Sequence, residues 1–472
     1  MAEGLDIPFL PFYGWVSIWL LIYCVICGFF DLTRYVRLAT RFTDEIFALL
    51  IVSIFVMDAI GDPFSNVGIL RFLDPNHPSH KDYKDDEDYS YLTTGLLSTI
   101  LGLGTCGLIF FLRGFKFSPF FCNDGIRTSV HDFAVTVSVI TWTLVKELIF
   151  ENVETEKLNV PERFEPTFAC CDDTCTTFFP DDCLGQAEAA RSRPWLTNLG
   201  DLNGKGWVPI MAAGPGILAF LLNYLDCGIT WHLINHKSHK LQHGEAYNYD
   251  LILVGLFNCI NGLLGLPWLV ATTVPCIIHL NALADKDQHG KFIKVQETRL
   301  TMFLSHLLVG LSLVALNVLR LLPLPVLYGV FLFMGLSSLP NIQFWNRFLL
   351  FFQQPSKYPE TPYTKYMTKS RIHMYTVIQM IFFFLVFALM NIKAIAIIFP
   401  FMTFCCIPAR LFLLPRFFEG WELVLLDGED EQMGAWIAAK ESSLGNVDVG
   451  KKGADDVEKG VDSSSSSSLD EA

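Results

Sequence analysis

The stretch GLPWLVATTVPCIIHLNAL, residues 265–283, decides how the rest of the chain is read. Before it runs LILVGLFNCINGL (251–263), apolar enough for lipid; after it comes LADKDQHGKFIK (283–294), which is wet. The stretch is shorter than the roughly 20 apolar residues that cross a bilayer. It carries Pro267, Pro275, two adjacent threonines and His279. Broken backbone at membrane depth is tolerated only where it lines a cavity or is buried in protein. A half-helix that begins there aims its N–H groups and positive dipole end at the cavity. Pro267 and Trp268 stop the chain at depth, and Ala271, Thr272, Thr273 and Val274 open the half-helix with small and hydroxyl side chains. Such a start suits an anion.

Composition agrees with a membrane reading. Of 472 residues, 52% are hydrophobic and only 17% charged, where a soluble domain carries about 25%. Mean hydropathy is positive, and 41 phenylalanines exceed the needs of a soluble core. The net charge of −14 sits mostly in two loops and the C-terminal tail. No Lys/Arg block reads as a nucleic-acid surface. MAEGLDIPFLPF lacks the basic start of a signal peptide, so no cleavage is expected.

Hydropathy blocks bounded by charge predict membrane segments at 13–30, 45–61, 92–112, 131–150, 208–232, 249–263, the short 270–283, 301–319, 324–343, 373–390 and 393–414. Pro325, Pro400 and Pro408 interrupt two of them. The fold class is therefore an all-α polytopic membrane protein with about 11 segments, one of them half-length. Basic residues mark loops 31–41, 113–129, 233–248, 284–299 and 351–372, while loops 62–91 and 151–206 are acid-rich. The positive-inside rule makes the basic set cytoplasmic. The C-terminus then lies inside and the N-terminus outside, and an odd count with an external start leads to the expectation of sequence upstream of Met1. The tail from 421 to 472 ends VDSSSSSSLDEA and is expected to be disordered.

Nine of the 13 cysteines lie in or next to spans, as small apolar residues do. Cys170, Cys171, Cys175 and Cys183 share loop 151–206, which contains no histidine. One or two disulfides in an oxidising exterior fit them better than zinc, with connectivity open. Neither acidic loop holds an N-x-S/T acceptor.

Asp226 falls deep in the apolar run WVPIMAAGPGILAFLLNYLDCGITWHL. A carboxylate in a span is expensive and commonly marks an ion path; the plainer alternative is an aspartate that merely bonds neighbouring helices. Thr230 follows at i+4, so carboxylate and hydroxyl share one helix face. Hard oxygens in that arrangement suit Na⁺. A half-helix start beside Asp226 and Thr230 makes a site for an anion with a cation, as in discontinuous-helix secondary transporters.

At these residues the chain resembles the bicarbonate-transporter family of solute carriers, which includes anion exchangers, sodium–bicarbonate cotransporters and, more distantly, borate transporters. RFTDEIFALL (41–50) is similar to the family's fifth helix, and GLPWLVATTV with HLNAL (279–283) to its tenth. VLYGVFLFMGLSSLPNIQFWNR (326–347), RIHMYTVIQ (371–379) and FPFMTFCCIPARLFLLPRFF (399–418) resemble helices twelve to fourteen. The resemblance implies two inverted seven-segment repeats, with the substrate between the starts of half-helices three and ten. It implies a homodimeric secondary transporter, not an enzyme, that moves bicarbonate or carbonate with Na⁺ or Cl⁻ and needs no other cofactor. Val270, Ala271, Thr272 and Thr273 match the family's anion-binding helix start; Asp226 and Thr230 match its eighth-helix acid and hydroxyl.

Two departures shape the expectation. Chloride exchangers of the family carry arginine where this chain has Pro275, and glutamate where it has Asp226. Sodium-coupled members resemble this chain at both places, so Na⁺-coupled uptake at the plasma membrane is expected. Pro275 also resembles the borate branch, leaving borate export as the alternative, alongside chloride exchange or a non-transporting scaffold. The second departure is the start, which is similar to the family's entry into helix four. The resemblance thus divides the chain into 1–150 (helices four to seven), a loop at 151–206, a second repeat at 207–420 and a tail at 421–472. It implies that these 472 residues need upstream sequence to transport. Expressing the chain alone and beside an extended form tests that. Finally, LVLLDGEDE (423–431) resembles acidic motifs proposed to bind carbonic anhydrase, although such a tail is more often simply solvated.

Overall fold

A computed structural model describes residues 7–38, 40–61, 68–69, 91–119, 123–153, 155–158, 160, 195–236, 239–286, 292–392, 399–428 and 432–442. Its helices are α1 (Phe9–Phe29), α2 (Arg41–Ile60), α3 (Tyr91–Gly114), α4 (Asp124–Asp132), α5 (Ala134–Ile149), α6 (Ala213–Ile234) and α7 (Tyr247–Leu263). They continue with α8 (Thr273–Ala282), α9 (Leu300–Leu311), α10 (Leu324–Ser338), α11 (Gln343–Leu349), α12 (Lys369–Asn391), α13 (Phe399–Pro408) and α14 (Gly420–Asp427). The one sheet among the described residues is a hairpin after α8, with β1 (Ala284–Lys286) antiparallel to β2 (Phe292–Val295).

Six described helical stretches are long and apolar enough to cross a membrane: Phe9–Phe29, Thr93–Gly114, Val208–Ile234, Leu300–Leu319, Leu324–Asn341 and Lys369–Asn391. Helix α2 misses that measure because Arg41, Asp44, Glu45 and Asp58 interrupt it, and α5 and α7 are shorter. The expected segment 301–319 is not one regular helix: a 3₁₀ turn at Ser312–Ala315 divides it. In the last expected segment, a π-helical turn at Ala409–Leu413 follows Pro408. Proline cannot donate the backbone bond that would continue the regular ladder.

The contacts divide the chain into two units. The first comprises Met1–Arg37, Phe47–Ile342 and Phe387–Phe401. Within it, α1 packs on α6 and α7, α8 packs on α6, and α3 packs on α5 and α10. Small residues permit these approaches, as is usual where helices pack in lipid. A Cβ on Gly262 of α7 would stand 1.9 Å from the Ser17 hydroxyl of α1, and one on Gly329 of α10 would stand 2.3 Å from the Gly102 carbonyl of α3.

The second unit comprises Leu38–Ile46, Gln343–Val386 and Met402–Ala472. At its centre Arg347 is fully buried. Its guanidinium donates to Glu45 (2.8 Å), Gln379 (2.7 Å) and Gln343 (2.7 Å), and lies over the Tyr375 ring. Asp427 accepts the Phe42 N–H at 2.6 Å and the Arg410 Nε–H at 2.5 Å. The stretch from 421 is not disordered throughout, as expected from its charge: α14 is helical with Leu423, Leu425 and Leu426 buried, and residues 432–442 form a further helix. Trp436 of that helix stacks on Trp421. The apolar half of the LVLLDGEDE motif is thus internal. Residues 443–472 lie outside the described residues, as do Cys170, Cys171, Cys175 and Cys183.

Candidate anion and cation site

The break that opens the site is anchored on α1. Helix α7 ends at Leu263, and Gly265 turns the chain with φ +69°, a conformation that costs glycine little. Tyr13 donates its hydroxyl to the Leu266 carbonyl at 2.9 Å and stacks on Trp268, whose indole N–H donates to Ser17 at 2.6 Å. The helix thus ends at Leu263 and turns at Gly265, before Pro267 and Trp268, the stop expected from sequence; Trp268 is instead a strut onto α1.

Between the break and the half-helix the backbone is unwound, and two buried amides replace the missing helical bonds. Asn258 of α7 accepts the Leu269 N–H at 2.6 Å and donates back to the Leu269 carbonyl at 3.0 Å. Asn223 of α6 donates to the same carbonyl at 3.0 Å. Both side chains are almost wholly buried. An unpaired backbone group at membrane depth costs several kcal/mol, so these amides make the break affordable. The reading from sequence passed over them; the only signal was an amide at 223 and at 258 in otherwise apolar runs.

Helix α8 begins at Thr273, later than the resemblance places it. Val270, Ala271 and Thr272 precede it as non-helical backbone, and Thr272 is its N-cap with no side-chain cap bond. The first N–H groups of a helix have no acceptor within it, and Pro275 removes one of them. What remains is a short N–H cluster at Thr273 and Val274.

The residues singled out on α6 do meet this start. The hydroxyls of Thr230 and Thr273 are 2.7 Å apart, and Thr230 also donates to the Asp226 carbonyl at 3.0 Å. Asp226 is 5% exposed, and its Oδ2 has no hydrogen-bond partner among the described residues. Two hydroxyls thus meet at the helix start, with the Asp226 carboxyl one helical turn before Thr230 on α6, while Val270 is half exposed at the edge. A cavity of about 1240 Å³ opens onto Thr230, Ala271 and Thr272. Chemically this set offers oxygens to a hard cation and N–H donors to an anion.

Comparison with known proteins bears on the family of the chain. The family described as the HCO3- transporter integral membrane domain matches residues 1–90 and 77–431. "Anion exchange protein 2" of Rattus norvegicus is 32% identical over 455 residues, covering 89% of this chain and 34% of that protein. "Anion exchange protein 3" of Mus musculus is 33% identical over 450 residues, covering 90% of this chain and 35% of that protein. The chain thus spans about a third of the length of the curated relatives it matches. One solved structure, the transmembrane domain of a cyanobacterium bicarbonate transporter, BicA, aligns with TM-score 0.40 and 17% identity over 79% of this chain and 76% of that chain. With a family match that runs through the broken helix, Asp226 and the buried Arg347 alike, the chain belongs to the bicarbonate-transporter family.

Proposed function

We propose that this protein is a secondary transporter of bicarbonate or carbonate coupled to Na⁺. One observation carries the reading: a buried carboxylate with an unpartnered oxygen lies one helical turn from Thr230, whose hydroxyl meets that of Thr273 at the start of a half-helix. Asp226 and Thr230 would hold Na⁺, and Ala271, Thr272 and Thr273, with Val270 at the rim, would hold the anion. A helix end contributes about half an elementary charge. With Pro275 in place of a fixed cation, a monovalent anion then needs the co-bound Na⁺ to remain in a low-dielectric site. The protein would work as a homodimer in the plasma membrane, with its tail in the cytoplasm.

A second reading, chloride–bicarbonate exchange, draws support from relatives named as anion exchange proteins. Anion uptake into vesicles, with Na⁺, Cl⁻ and borate supplied or withheld in turn, separates the readings. Na⁺ coupling predicts bicarbonate uptake that stops when choline replaces Na⁺. Robust Cl⁻–bicarbonate exchange in Na⁺-free medium would replace it with the second reading.

A further inference from the structure

The cavity that opens onto Thr230 extends well beyond the proposed site. Its wall includes one face of the half-helix, Thr272, Cys276, His279 and Leu283. Spacings of four, three and four place these on a single stripe. On the third position of the stripe, His279 Nε2 is 3.3 Å from the Thr301 hydroxyl at the start of α9. Arg299, two residues before Thr301, lines the same wall and is exposed.

The charges around Arg299 are arranged unequally. Glu297, the nearest acid in sequence, is turned to the loop before α7: it accepts the backbone N–H groups of Gln242 and His243 and pairs with the His243 ring. The Gln242 N–H, followed by His243, holds its carboxyl below the usual range. Arg299 forms no ion pair among the described residues. Asp250, in the first turn of α7, is the other acid on the wall.

We propose that Arg299, His279 and Thr301 form a second anion station, through which a small oxyanion passes on its way to the half-helix start. Seven residues of helix separate Thr272 from His279, a rise of about 10 Å. An anion at the outer station is therefore close enough to feel the helix end, yet separate from the inner site. Arg299 supplies the fixed positive charge that position 275 lacks. Asp250 opposes it and keeps the cavity from trapping the anion. The proposal rests on the cavity being an anion path, but its test does not require transport.

Cys276 lies on the stripe between the two stations and reports the potential there. Membranes carrying the full chain are treated with 2-sulfonatoethyl methanethiosulfonate or its trimethylammonium counterpart, and labelling of the Cys276 peptide is followed by mass spectrometry. Rates are normalised to those of a small free thiol. The anionic reagent should be favoured, and Arg299→Gln should lower the anionic-to-cationic ratio about fivefold, as loss of one nearby charge at high effective dielectric requires. Arg299→Lys should retain the ratio and Asp250→Asn should raise it. Bicarbonate should slow labelling in the unmodified protein, less in His279→Ala and not in Arg299→Gln. A charge-selective cavity that bicarbonate does not protect would support the station while removing the bicarbonate reading. Equal ratios with and without Arg299, or no reaction at Cys276 with either reagent, would overturn the proposal.

Discussion

At the scale of single residues, Arg347 and Asn258 carry the largest consequences for stability. A buried guanidinium is costly unless its partners are in place, and here Glu45, Gln379 and Gln343 supply them. Arg347→Met leaves Glu45 buried without its cation and should destabilise the second unit by ~3–5 kcal/mol. The pair Arg347→Met with Glu45→Gln should recover much of that loss, since the uncompensated charge is gone. Thermal unfolding of the detergent-solubilised protein, compared across the two variants, reads both effects. Asn258→Ala orphans the Leu269 N–H while Asn223 still serves the carbonyl. A loss of ~1–3 kcal/mol is expected, measured the same way. An unchanged midpoint would mean that the unwound stretch is satisfied differently.

At the scale of elements, α14 makes a pH prediction. Arg371 at the start of α12 donates to Glu422, and that hydrogen bond holds the Glu422 carboxyl below its ordinary value. A carboxyl whose pKa is depressed by folding contributes stability above its unfolded pKa of about 4.3. The contribution is lost as pH falls through the folded value. Docking of α14, followed by protection of its amides from hydrogen exchange, should weaken on acidification below that range, and Arg371→Gln should blunt the dependence. Sequence reasoning located the half-helix because prolines and a wet flank are local signals. It set the start near 270 rather than Thr273 because the bonds that unwind Leu269 come from α6 and α7, far along the chain. It took 421 as the beginning of disorder because acids at 427 and 429–431 masked the apolar run WELVLL. Asp226 and Thr230 were legible, being a charge and a hydroxyl one helical turn apart in an apolar run; the clamping asparagines were not, because an amide in a helix carries no such alarm.

At the scale of the molecule, the motifs that identified the family turn out to include a packed group. Glu45 of RFTDEIF, Arg347 of NIQFWNR, and Tyr375 and Gln379 of RIHMYTVIQ converge in the second unit. That group bears on stability, whereas the transport reading rests on α6 and α8 in the first unit. The two claims can fail separately. The transport claim is tested most directly by Na⁺ activation of bicarbonate uptake in vesicles, for the chain alone and extended upstream, with Asp226 and with Asp226→Asn. Uptake should follow Na⁺ in whichever form transports, and Asp226→Asn should abolish that dependence while leaving the thermal midpoint in place. Uptake equally activated by Na⁺ in Asp226→Asn, uptake indifferent to Na⁺ throughout, or none in either form would contradict the account.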